Sequence, residues 1–90
     1  MLIYDENKRL LNLRAHGLDF VGCEAIFDSP MMSLEDAREA YGEQRLNAFG
    51  FLNGEVVRLT YSERGEDLRV ISLRKAEKHE IKLFARFLAH

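Results

Sequence analysis

Tyr61-Ser62-Glu63-Arg64-Gly65-Glu66-Asp67-Leu68-Arg69-Val70-Ile71-Ser72-Leu73-Arg74-Lys75-Ala76 is the stretch on which the fold turns. A polar turn, Glu63 to Asp67 with one glycine, divides two apolar runs rich in β-formers, which is how a hairpin reads in sequence. Leu68 to Leu73 is the most strand-like run in the chain, yet it carries Arg69 and leads into Arg74-Lys75. Upstream, Glu55 to Ser62 alternates Val57, Leu59 and Tyr61 with Val56, Arg58 and Thr60, the period of a strand. Before it stands Asn53-Gly54, whose residues both tolerate the positive φ of a type I′ hairpin turn. Gln44 to Leu52, with Arg45, Asn47, Phe49 and Phe51 on one face, supplies the strand in front. Residues 44–73 are therefore expected to form a three-stranded antiparallel meander.

Outward from the meander, Ala76 to Ala89 places Ile81, Phe84 and Leu88 at helical spacing, supported by Leu83 and Phe87, with Lys78, Lys82 and Arg86 outside. That predicts a helix docked on the sheet. At the other end, Leu2-Ile3-Tyr4 reads as a short strand or an apolar lead-in. Asp5 is a good N-cap for a helix over Asn7 to His16, with Leu10, Leu11 and Leu13 toward one side. Gly17 ends it, with Arg14 and His16 suiting its C-terminal dipole. Asp19 is read as the cap of a second helix, Phe20 to Phe27, burying Phe20, Cys23, Ile26 and Phe27, and stopped at Asp28-Ser29-Pro30. Met31 to Glu35 fits a short strand. The expected fold is α+β: an antiparallel sheet of three to four strands, two N-terminal helices and one C-terminal helix, helices on one face and the other partly open.

Ninety residues predict one domain, 1–90. The chain is 47% hydrophobic and 31% charged, the composition of a soluble globular protein rather than a disordered chain, and no apolar run approaches a membrane span. The acidic start lacks a signal-peptide layout, and the single Cys23 forms no internal disulfide, so a cytoplasmic protein is expected. Net charge is −2, but unevenly spread. Residues 1–41 hold four Lys/Arg against eight Asp/Glu; residues 42–90 hold nine against seven. A basic patch for nucleic acid would have to be assembled by folding.

No metal motif is present, since Cys23 lacks a thiol partner and His16, His79 and His90 share no helix-face spacing. There is neither a phosphate loop nor a nucleophile elbow, and Cys23 on an apolar face reads as core. The remaining candidates are polar. His16 at a helix end suits a general acid or base, or simply caps the helix. Glu43 and Arg45 sit two apart at a strand start. Arg74 and Lys75 at a strand–helix junction could bind phosphate or stand in a solvated turn. Arg69 alternates to the face opposite Arg74 unless the strand bulges between them.

Taken in order, Tyr4-Asp5, Lys8, Asn12, His16-Gly17, Phe20, Phe27-Asp28, Tyr41-Gly42-Glu43-x-Arg45, Gly50, Tyr61-Ser62-Glu63-Arg64, Arg69-Val70-Ile71-Ser72-x-Arg74-Lys75-Ala76 and Glu80 resemble the BrnT family of toxins. The resemblance implies a fold similar to RelE-type toxins and metal-independent RNA cleavage that inhibits translation, with no cofactor. It implies RNA as substrate and a cognate antitoxin as partner, of the ribbon-helix-helix type seen in BrnA-like proteins. Operator DNA is reached only through that antitoxin, and no membrane is involved. His16, Glu43, Arg45 and Arg74 become candidate catalytic residues, and Lys8, Arg69 and Lys75 candidate substrate contacts. Three positions depart from the family pattern: Ala15 where lysine usually precedes the His-Gly pair, Leu73 for alanine, and Phe84 for tyrosine. The alternative, motivated by Ala15 and the acidic balance, is a catalytically degenerate member that only binds protein.

Overall fold

The computed structural model describes residues 1–36 and 44–90. In chain order it contains β1 (Leu2–Ile3), α1 (Glu6–His16), a 3₁₀ helix (Cys23–Asp28), β2 (Met32–Glu35), β3 (Arg45–Leu52), β4 (Glu55–Arg64), β5 (Asp67–Lys75) and α2 (Lys78–Leu88). The strands form one sheet in the order β1-β5-β4-β3-β2. The meander β3-β4-β5 is antiparallel as expected, and Asn53-Gly54 turns its first hairpin with φ of 52° and 79°. Two strands enlarge it. Met32–Glu35 pairs antiparallel with β3 along the far edge, and Leu2-Ile3 pairs parallel with Leu68-Arg69. The sheet is therefore five-stranded and mixed, not an antiparallel sheet of three to four strands. A two-residue parallel strand carries almost no periodicity, so only its non-local partner can define it.

The second N-terminal helix is also corrected. Phe20 to Phe27 does not form an α-helix; a short 3₁₀ helix spans Cys23–Asp28 instead. Asp19 does not cap it but turns the chain locally, its Oδ1 accepting from the Val21 N–H at 3.0 Å while Arg9 binds the carboxylate from α1. Of the four residues expected to be buried, Phe20, Cys23 and Ile26 are fully buried and Phe27 is half-buried.

Nor do the helices share one face. Alternation along β4 directs Val57, Leu59 and Tyr61 to a first face, where they pack with Ala48, Val70, Leu73 and the 3₁₀-helix residues Cys23 and Ile26. Gly50 lies in this layer because a Cβ there would meet Ile26 Cγ1 at 2.7 Å. The second face carries Phe49, which packs with Met32 and with Phe84 of α2. α2 starts from a capping box between Glu77 and Glu80.

α1 forms as expected between its Asp5 cap and Gly17, but its inward side is not the leucine side. It presents Asn12 to the protein and leaves Leu10 and Leu11 exposed at 47% and 60%. The cause is the edge of β5, where β1 pairs only with Leu68 and Arg69. Asn12 Oδ1 accepts from the Leu73 N–H at 3.0 Å, and its Nδ2 donates to the Leu73 and Leu18 carbonyls at 2.9 and 3.0 Å. One side-chain amide thus replaces a strand partner where the edge would leave two buried backbone groups unsatisfied.

Candidate functional site

The site rests on an irregularity in β5. Thr60 pairs with Ser72, but its neighbour Tyr61 pairs with Val70, so Ile71 is an extra residue in the ladder. The bulge inverts alternation for everything before it. Val70 and Leu73, three apart, both reach the buried first face. Arg69 (opposite Ser62) and Arg74 (opposite Arg58) consequently share the second face. Strict alternation would have separated them.

Cross-strand register then orders the second face into rows about 7 Å apart along the strands. Arg45, Ser62 and Arg69 form one, Asn47, Thr60 and Ser72 the next, and Phe49, Arg58 and Arg74 the third. Thr60 Oγ1 donates to Asn47 Oδ1 at 2.6 Å within the middle row. Ser62 is fully buried, and among the described residues its hydroxyl finds no hydrogen-bond partner. The four arginines are all engaged in polar or charge contacts.

Arg74 is the most firmly held. Its Nη1 and Nη2 donate to Glu80 Oε1 and Oε2 at 2.8 and 2.9 Å, and Nη1 also reaches the Lys75 carbonyl at 2.9 Å. Exposed Glu77 approaches to 3.7 Å. Glu80 Oε1 additionally accepts the Glu77 N–H at 2.8 Å, so one carboxylate joins the arginine to the α2 cap. Burial disfavours ionised Glu80, but the Arg74 fork and the Glu77 N–H outweigh it, aided by Arg58, and hold the carboxyl below its ordinary value. An open cleft of about 630 Å³ lies above, with Asn47, Phe49, Arg58 and Arg74 among its residues, bounded by Leu34–Asp36 and the start of α2.

The other candidates separate from this face. His16 and Lys8 line a shallower cleft of about 260 Å³ with Asn12, Ala15 and Ile71, beside the β5 bulge. Ala15 occupies that cleft where the family pattern has lysine. Lys75 pairs with Val57 on the first-face side and makes an exposed ion pair with Glu55 at 3.4 Å. Glu43 lies outside the described residues. The arrangement thus puts Arg45 and Arg69 in one row and Arg74 two rows away on the same face, brings Lys8 and His16 together elsewhere, and sets Lys75 apart.

Arg58 and Glu80, which are not among the residues the sequence singles out for the site, also line the larger cleft. Both were legible in part: Arg58 alternates with the core residues of β4, and Glu80 stands three after Glu77 at a helix start. Glu77, His79 and Glu80 bring three ligand-type atoms within 4.8 Å of one another. Both Glu80 oxygens are already committed to Arg74 and to the helix cap, so the trio reads as a cap. Cys23 is buried, which pushes its thiol up to about 11 and removes it from nucleophilic chemistry.

Among the described residues, no helix is long and apolar enough to cross a membrane. A search of curated proteins returns no match. A family model described as "Ribonuclease toxin, BrnT, of type II toxin-antitoxin system" matches residues 4–80, which leaves out β1 and all of α2 after its first three residues. The chain belongs to the BrnT family of ribonuclease toxins of type II toxin–antitoxin systems.

Proposed function

We propose that the chain cleaves RNA without a metal ion, arrests translation by doing so, and is neutralised by a cognate DNA-binding antitoxin. The observation that carries the reading is the β5 bulge, because it places Arg69 on the same face as Arg45 and Arg74. Guanidinium groups keep their charge and offer paired donors to phosphate oxygens, so such a face suits a phosphodiester. RNA needs no metal to break, because its own 2′-hydroxyl can serve as nucleophile. The 2′ oxygen attacks phosphorus, the bond to the 5′ oxygen breaks, and the products are a 2′,3′-cyclic phosphate and a 5′-hydroxyl.

The protein must take the 2′ proton, stabilise the charge on the phosphorane and return a proton to the leaving oxygen. Arg45 and Arg69 serve the phosphate. Glu43, two residues before Arg45 in sequence, or His16 serves as base, the latter only for a strand that also reaches its separate cleft beside the bulge. Lys8 beside His16 contributes a cation to the approach of the strand. One well-placed donor to a developing oxyanion contributes roughly 3–4 kcal/mol, enough for a slow nuclease built from few groups.

Purified chain incubated with RNA in EDTA is the test. Cleavage is expected, and Arg69→Ala should reduce it at least tenfold while leaving the fold intact by circular dichroism. Intact RNA at stoichiometric protein would reject the nuclease. The second reading, a member that only binds protein, has two observations in its favour: Arg74 is occupied by Glu80, and Ala15 leaves the His16 cleft without the family's lysine. Growth arrest on induced expression, relieved by a co-expressed antitoxin, would exclude it.

A further inference from the structure

We propose that Arg58 and Arg74 form a second anion site on this face, whose resident ligand is the chain's own Glu80 and whose exchange ligand is an RNA phosphodiester. The site rests on the ribonuclease reading for the identity of that ligand. Its geometry stands independently.

Arg58 and Arg74 are directly paired across β4 and β5. Like charges in that relation repel, so an anion beside the pair is stabilising. Glu80 provides one in the form a phosphate would take, two oxygens on the two terminal nitrogens of one guanidinium at 2.8 and 2.9 Å. Carboxylate and phosphate present nearly the same oxygen spacing to that fork. The pair sits on the floor of the larger cleft, reachable from solvent, with Asn47 and Phe49 beside it. Other carboxylates share the cleft: Glu35 and Glu77 are exposed at its rim, and Asp36 is buried and itself engaged. Among the described residues, Glu80 is the carboxylate that takes both terminal nitrogens of Arg74.

Position adds a second argument. The Arg58–Arg74 row and the Arg45–Ser62–Arg69 row lie two rows apart, about 14 Å along the strands, with Asn47, Thr60 and Ser72 between them. That separation is of the order of two nucleotide steps of an extended strand. One face can therefore hold two phosphates of the same RNA, with the Asn47 and Ser72 row beneath the phosphate and two sugars that lie between them. Exchange requires Glu80 to leave Arg74, which also removes its bond to the Glu77 N–H and loosens the first turn of α2.

The test is binding of a labelled 2′-O-methyl oligoribonucleotide, which has no 2′-hydroxyl to react. Glu80→Gln keeps an acceptor for the Glu77 N–H but releases the charge of Arg74. It should bind about tenfold tighter than wild type, with the salt slope steeper by about 0.7, one single-strand phosphate contact. The gain should vanish in Glu80→Gln/Arg74→Ala. Glu35→Gln removes a rim charge without touching Arg74 and should shift affinity less than twofold. Equal gains from Glu80→Gln and Glu35→Gln, or no gain from Glu80→Gln, would overturn the proposal. Should Glu80→Gln fail to fold, NMR of the wild type decides. The Glu80 carboxylate and Arg74 Nε–H resonances should move together on titration with the oligonucleotide, and stationary resonances would overturn the site. Inorganic phosphate is titrated in parallel. If phosphate moves Arg74 in Glu80→Gln but the oligonucleotide does not bind, both the RNA ligand and the ribonuclease reading fail. If wild type cleaves RNA and Glu80→Gln shows no gain, only this site fails.

Discussion

Asn12 and Glu80 each answer two demands at once, and their costs of removal differ in kind. Asn12 satisfies the Leu73 N–H and C=O where the sheet edge is otherwise closed to water. Asn12→Ala should therefore lower stability by about 2–4 kcal/mol, two buried backbone groups left without partners, measured by urea denaturation. A loss below about 0.5 kcal/mol would mean that water replaces the amide. Glu80 contributes through charge, and its sign is fixed. Its folded-state pKa lies below the ordinary 4.5, so its contribution is complete above that value and is lost as pH falls through the lowered pKa. Wild type should lose stability below pH 4.5 more steeply than Glu80→Gln, read from the difference between their denaturation midpoints across pH 3–6. Parallel curves would show that the Arg74–Glu80 pair is energetically idle.

At the scale of elements, what could be read in advance was what local chemistry decides. Asn53-Gly54 demanded a hairpin, Asp5 and Gly17 bounded α1, and alternation gave the two faces of β3 and β4. What escaped was set by partners distant in sequence. β1 exists because Leu68-Arg69 offers it an edge, and the inward side of α1 is chosen by Leu73, so its leucines mislead. Arg69 and Arg74 can share a face only if the strand twists or bulges between them, but nothing in Val70-Ile71-Ser72 announces that the bulge falls at Ile71. Glu43, central to the motif reading, lies outside the described residues. Gly50 carries the test at this scale. Gly50→Ala forces a methyl against Ile26 in a filled layer and should cost about 1–3 kcal/mol in thermal or urea unfolding. A neutral effect would show that the 3₁₀ helix yields to it.

For the whole molecule, a net charge of −2 is compatible with a nucleic-acid enzyme only if the cations are gathered. The sheet gathers them: Arg45, Arg58, Arg69 and Arg74 come from three strands to one face, while acidic residues predominate in the first 41 positions. Binding to RNA should accordingly be weak and strongly salt-dependent, with Arg45→Ala and Arg69→Ala each flattening the salt slope by about 0.7. The measurement that bears most directly on the proposed activity is the chemistry of the RNA ends produced in EDTA. Attack by the 2′-hydroxyl leaves a 2′,3′-cyclic phosphate and a 5′-hydroxyl, and those ends are expected from wild type and strongly depleted with Arg69→Ala. Ends carrying a 3′-hydroxyl and a 5′-phosphate, formed only when magnesium is restored, would contradict the mechanism.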